Sequence, residues 1–226
     1  MKTEKSNPRR KFMGAMMLGA TASTLSLLAN PVYANLLEFD NQKMGDADDW
    51  FDKIKGKHRI VYDGSTPHDG FPIIWNWAFY LSNNETGSND SDITAMTVLR
   101  HNAIPFALTS EIWKKYKLGE IFGVTDNATK EPSLRNPYYQ PQDGDFPMPV
   151  IQGIKDMQQR GALFCVCNLA ISVYSGVVAQ KMGLDAKKVY QEWIDAIHPE
   201  IQLVPSGVWA LGRAQEHGCG YIFAGG

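Results

Sequence analysis

This sequence predicts a doubly wound α/β domain: a mainly parallel sheet flanked by helices. Three observations lead there. Short apolar-leaning runs recur at 58–62, 93–99, 162–167, 201–204 and 219–224. Most lack the polar alternation of a half-exposed strand, as expected of strands covered on both faces. Between them lie segments of helical spacing or helix-like composition, bordered by turn and capping residues such as Asp63-Gly64-Ser65, Pro205-Ser206-Gly207 and Gly218. Strands alternating with helices give a parallel sheet joined by right-handed crossovers.

The chain begins with a targeting pattern. Lys2, Lys5, Arg9, Arg10 and Lys11 form a basic stretch, 12–29 is apolar or small, and Val32 and Ala34 are the small residues before a cut after Ala34. That reads as a secretory signal peptide over 1–34. The Arg9-Arg10 pair resembles the twin-arginine signal, with Pro8 in place of the usual polar residue. The rival readings are an ordinary secretory signal, or an uncut segment anchoring the chain in a membrane. No other run reaches the ~18 apolar residues of a membrane helix. The expected location is the periplasm, with no membrane span after cleavage.

Residues 35–57 read as a polar, acidic arm with one short helix over 48–54, capped by an aspartate. Asp46, Asp48 and Asp49 lack the ligand spacing of a calcium loop. The domain proper spans 58–226. Strand 58–62 leads through a turn at 66–70 into an aromatic-rich helix over 71–81, with Pro72 in its first turn. A polar loop follows at 83–90, then the second strand at 93–99. Residues 110–118 form an amphipathic helix behind a serine cap. Residues 123–149 are rich in Pro, Asn, Asp and Gln without periodicity, and read as an insertion that serves function or an interface. A helix over 150–159 stops at Gly161, the third strand runs over 162–167, and helices follow over 169–182 and 186–196. Strand 201–204, helix 208–217 and strand 219–224 close the chain.

A formal net charge of −2 offers no basic surface for nucleic acid. Three cysteines allow at most one disulfide and leave at least one thiol free. Cys165 and Cys167 flank a single residue, so on a strand they project to the same face, and a direct bridge between them is strained. There is no glycine-rich phosphate loop and no Ser-His-Asp arrangement, so no cofactor is expected.

Ligands of open α/β sheets bind at the carboxyl ends of the strands. Cys167 sits at such an end, with a helix start at Asn168 whose amides favour a thiolate. A buried structural thiol is the plain alternative for Cys167, and the more so for Cys165 and Cys219. Arg100 and His101 end the second strand at the same rim, where His101 could stabilise a thiolate or move a proton and Arg100 could bind an anion. Asp63, Ser65 and His68 follow the first strand and complete the rim with Asn168. A cysteine and two histidines there could also hold copper(I) or zinc, without a recognised metal spacing.

The closing segment Leu203-Val204-Pro205-Ser206-Gly207-Val208-Trp209-Ala210, with Gln215-Glu216-His217-Gly218-Cys219-Gly220-Tyr221-Ile222, resembles the end of DsrE/DsrF-like sulfur-relay proteins. Arg160-Gly161-Ala162-Leu163-Phe164-Cys165-Val166-Cys167-Asn168 is similar to that family's cysteine strand, and residues 58–81 with Trp75 resemble its first strand and helix. The resemblance implies a DsrE-like fold, a closed homo-oligomer, and a sulfur-carrying cysteine at Cys167. The segment 123–149, the additional Cys165 and the export signal depart from the family pattern. The leading expectation is an exported protein that carries or transfers sulfane sulfur as a Cys167 persulfide, with Cys165 and His101 assisting, and with a sulfur donor or acceptor protein as partner. Two rivals are a periplasmic module binding a metal or small ligand at the same rim, and a structural oligomer without chemistry.

Overall fold

Five parallel strands form one sheet in the order β4-β3-β2-β1-β5. They are β1 (His58–Gly64), β2 (Ile93–Leu99), β3 (Leu163–Cys167), β4 (Ile201–Val204) and β5 (Gly220–Phe223). The structure is a computed structural model, and it describes Met44 and residues 47–226. The signal-peptide and anchor readings fall on residues outside those described. Among the described residues no helix is long and apolar enough to cross a membrane.

The sheet is covered on both faces, as its continuous apolar strands demand. Every residue of β2 is buried. One layer joins Ile60, Tyr62, Ala95, Leu99, Phe164 and Val166 to α1 (Phe71–Glu85) and α5 (Asn168–Met182). The opposite layer joins Val61, Met96, Val98 and Cys165 to α7 (Gly207–Glu216). The acidic lead-in closes that second layer. Asp49–Lys53 is a 3₁₀ turn whose Trp50 and Phe51 are buried, and the Phe51 ring meets Trp209 edge-on at 5.5 Å. Asp48 precedes that turn without a side-chain cap bond.

The chain steps from β1 through β2 and β3 to β4. It then returns beneath the sheet by α7 to place β5 on the far side of β1, Ile60 to Asp63 pairing with Gly220 to Phe223. Consecutive strands β3 and β4 therefore send their following helices, α5 and α7, to opposite faces.

Several elements end elsewhere than their patterns predict. α1 runs past residue 81 to Glu85, where Asn83 Nδ2 donates back to the Phe79 carbonyl and Asn84 Nδ2 donates to the Ser88 carbonyl. The helix expected over 110–118 is divided. α2 (Ser110–Tyr116) and α3 (Leu118–Phe122) meet at Lys117, which stands at φ +52°, a left-handed conformation that ends a helix. α4 is confined to Ile154–Gln159. α6 (Ala186–Asp195) starts as expected on Asp185, whose carboxylate accepts from the Lys188 amide.

Candidate functional site

β3 ends at Cys167, which is also the residue that caps α5. Its backbone is extended (φ −74°, ψ 109°), and its Sγ accepts a hydrogen bond from the Ala170 amide at 3.3 Å. β4 ends next to it and leads through Pro205 into α7, capped by Ser206, whose Oγ accepts from the Trp209 amide at 3.2 Å. α5 and α7 diverge to opposite faces, so the ends of β3 and β4 stand where open α/β sheets take their ligands. The Leu169 amide donates to the Pro205 carbonyl at 3.2 Å and ties the two helix starts together. Cys167 thus lies at the meeting point of two helix N-termini.

Two effects oppose each other at that sulfur. Burial disfavours the thiolate, since Cys167 is only 6% exposed. The amides of Ala170, Gly207 and Leu169 and the Arg100 guanidinium favour it. Burial wins, and the thiol stands above its ordinary pKa. The helix starts moderate that rise without reversing it, so the lowering expected from the helix start alone is not reached.

Arg100, just past β2, closes two hydrogen bonds onto Asp63 at the end of β1, Nε to Oδ1 at 2.6 Å and Nη2 to Oδ2 at 2.9 Å. Asp63 is 2% exposed. Its Oδ2 also accepts from the Tyr221 hydroxyl, on β5, at 2.8 Å. One buried carboxylate therefore links strands β1, β2 and β5 and holds the guanidinium at the rim. Gly207 completes the arrangement: a Cβ there would come within 2.5 Å of the Arg100 Cβ, so only glycine lets α7 start this close.

The other rim residues have different surroundings. Cys165 is wholly buried beneath α7, and burial pushes its thiol well up. Cys219 is 7% exposed, and burial pushes its thiol up to about 11. All three cysteines are free. His101 stands at φ +48° with its Nδ1 2.9 Å from the Tyr174 hydroxyl on α5. Burial, then Arg100, lowers its pKa. No bond joins His101 to Cys167 among the described residues. Asn168 is fully buried, accepting from the Tyr190 hydroxyl at 2.8 Å. It acts as an internal strut between α5 and α6. Ser65 is buried, with its carbonyl accepting from the Asn102 amide. His68 Nδ1 donates to the Ala224 carbonyl at 3.2 Å, and its ring packs on Phe71 with centroids 4.8 Å apart.

The insertion is ordered by polar ties. Arg135 bonds both oxygens of Asp145 at 2.7 and 2.6 Å and reaches Asp126 at 3.0 Å. Asn136 donates to the carbonyls of Phe106 and Leu108 and accepts from the Tyr138 and Tyr139 amides. A cavity of about 500 Å³ lies between this insertion and the loop after β1. Of the candidate site residues expected from sequence, only His68 lines it. Among the described residues no group of three or more His, Cys, Asp and Glu side chains is placed to hold a metal ion.

Asp63, Arg100 and Cys167 lie at neighbouring strand ends, as their sequence positions imply, whereas Tyr221 and Gly207 join the arrangement without being foreseen. Tyr221 could have been suspected, because a tyrosine in a terminal strand can place its hydroxyl at the rim. Gly207 carries no local signal beyond following the Ser206 cap. Compared with models of known families, with curated proteins and with solved structures, the chain gives no match in any of the three.

Proposed function

We propose that this protein carries or transfers sulfane sulfur through Cys167. One observation carries the reading: the Cys167 sulfur sits at the junction of two helix N-termini, whose amides, with the charge of Arg100, favour its anion. The resemblance of residues 160–168 and 203–222 to the DsrE/DsrF-like family points the same way. In the proposed exchange the Cys167 thiolate attacks the outer sulfur of a donor persulfide. The donor S–S bond breaks and the donor leaves as a thiolate, which takes the proton given up by Cys167. An acceptor thiolate then attacks the outer sulfur of the Cys167 persulfide and releases Cys167. The exchange is electron-balanced and needs no cofactor. A buried thiol of raised pKa has a small thiolate fraction, which suits a carrier better than a fast enzyme.

Incubation with a low-molecular-weight persulfide, followed by peptide mass spectrometry, tests this. The Cys167 peptide should gain the mass of one sulfur atom, lose it to a thiol acceptor, and stay unmodified in Cys167→Ser. Sulfur found only on Cys219, or on no cysteine, would reject the reading. The metal-binding rival finds no ligand set among the described residues.

Export and assembly belong to the same proposal. Arg9 and Arg10 direct the folded chain to the periplasm, and replacing both with lysine should stop that transfer. The chain assembles with copies of itself. The exposed side chains of Tyr221, Ile222 and Phe223 on edge strand β5 support this, since an uncovered apolar edge invites pairing. A monomer by light scattering at micromolar concentration would count against assembly.

A further inference from the structure

The roughly 500 Å³ cavity beneath the insertion lies apart from Cys167, and its chemistry is of opposite sign. At Cys167 the charge of Arg100 favours an anion. The cavity is lined by Asp69 and Asp145, by Phe71, Phe122 and Tyr138, and by no lysine or arginine. Asp145 is paired with Arg135 through two bonds. Asp69 has no ion-pair partner among the described residues, and it is exposed at φ +49°. His68, at φ +40°, precedes it, so two consecutive non-glycine residues hold the left-handed conformation in the cavity wall. Such strain is kept where surrounding structure enforces it, and often at ligand sites. Gly70 follows at φ +82°, and a Cβ there would come within 2.7 Å of the Tyr138 ring. The backbone of this loop is thus folded to admit the Tyr138 ring against it.

We infer that this cavity binds a small organic ammonium cation, its charge beside Asp69 and its body against the aromatic wall. An unpaired carboxylate in a wall without lysine or arginine attracts a cation and disfavours an anion, and Phe71, Phe122 and Tyr138 give an apolar side for the body of the ligand. The Tyr138 phenol reports the same field: after burial, the charges of Asp69 and Asp145 are what push its pKa up. Asn127 adds a polar edge, its Nδ2 committed to the Asp145 carbonyl at 3.1 Å and its Oδ1 left to accept from an ammonium.

The test uses three probes of one shape: 2-phenylethylammonium, 2-phenylethanol and 3-phenylpropanoate. Titration calorimetry on the intact protein should show the ammonium binding at least about tenfold more tightly than the alcohol, with no heat from the carboxylate. Asp69→Asn should bring the ammonium down to the affinity of the alcohol. Asparagine tolerates the left-handed conformation, so this variant keeps the loop. Glu131→Gln, an exposed charge outside the cavity, should change nothing. Cys167→Ser should also leave binding intact, which separates this site from the sulfur reading. Equal affinity for ammonium and alcohol, preference for the carboxylate, insensitivity to Asp69→Asn, or no binding of any probe at millimolar concentration would each overturn the inference.

Discussion

The Arg100 guanidinium is bonded to the Asp63 carboxylate through two nitrogens, at 2.6 and 2.9 Å, and this pair joins the ends of β2 and β1 at the rim that holds Cys167. Asp63 is nearly fully buried while Arg100 is about one-quarter exposed, with side chains 3% and 26% accessible. Removing the guanidinium would leave a buried carboxylate short of its charge partner. The loss for breaking such a pair runs at about 3–5 kcal/mol, and the partial exposure of Arg100 puts it near the lower end. Arg100→Met should therefore cost about 3 kcal/mol in urea unfolding. The double variant Asp63→Asn/Arg100→Met should recover part of that loss. A loss under about 0.5 kcal/mol, the scale of an ordinary surface change, would show that the pair is solvated rather than structural.

Gly207 tests the same arrangement from the other side. A methyl group at residue 207 meets the Arg100 Cβ at 2.5 Å and its Cδ at 2.8 Å. Either α7 shifts or Arg100 leaves Asp63. Gly207→Ala should cost about 1–3 kcal/mol, the range for forcing a side chain into packed space. It should also slow Cys167 alkylation, because the Gly207 amide and Arg100 both favour the thiolate. Unchanged stability and unchanged alkylation would contradict the close approach.

These two residues also show what sequence can and cannot reveal. β1 to β4 were legible because buried parallel strands are nearly continuous apolar runs, a local signal, and β5 because Gly218 stops the helix just before it. Asp63, Arg100 and Cys167 were legible because each directly ends or follows such a run. The Tyr221–Asp63 bond spans 158 positions, and nothing near Tyr221 announces it. Lys117 breaks a helix without the glycine that usually marks such a stop. The cavity that Tyr138 lines lay hidden because 123–149 has no periodicity. That segment is held by Arg135, Asn136 and Asp145 through bonds that leave no repeating pattern.

His198 gives a pH prediction independent of the cysteines. Its ring stacks on Tyr139 with planes 5° apart, and its Nε2 is buried without a hydrogen-bond partner among the described residues. Burial lowers its pKa from 6.5 to about 4, with Glu111 pulling up and Lys155 pushing down. A depressed histidine contributes stability above its unfolded pKa and loses it as the unfolded chain takes up the proton. Its contribution should therefore be full above about pH 6.5 and fade toward pH 4. His198→Phe keeps a stacking ring without the titration. The melting temperature of the wild type should fall more steeply than that of this variant across the window. Parallel curves would show that His198 does not titrate between the two states.

The last prediction concerns the order in which the thiols react. Cys165 is fully buried in the layer beneath α7, and burial pushes its pKa well up. Cys219 is slightly exposed, with its thiol up at about 11, against the downward pull of Arg59. Cys167 has the same slight exposure, but three amides and Arg100 oppose its burial. Only the thiolate reacts with iodoacetamide, so rate follows thiolate fraction and access together. Cys167 should be labelled first, at a rate that climbs as pH rises above the ordinary thiol value of about 8.5. Cys219 should follow at higher pH, and Cys165 should react only on unfolding. Arg100→Met should move the Cys167 midpoint upward, since it removes a charge that favours the anion. The same raised pKa values lower stability in alkali: the folded thiols hold their protons while the unfolded chain gives them up above about pH 8.5, so melting temperature should decline from there. Labelling of Cys167 only in step with Cys165 would mean that the junction of the α5 and α7 starts is closed to reagents, and the sulfur-transfer proposal would lose its nucleophile.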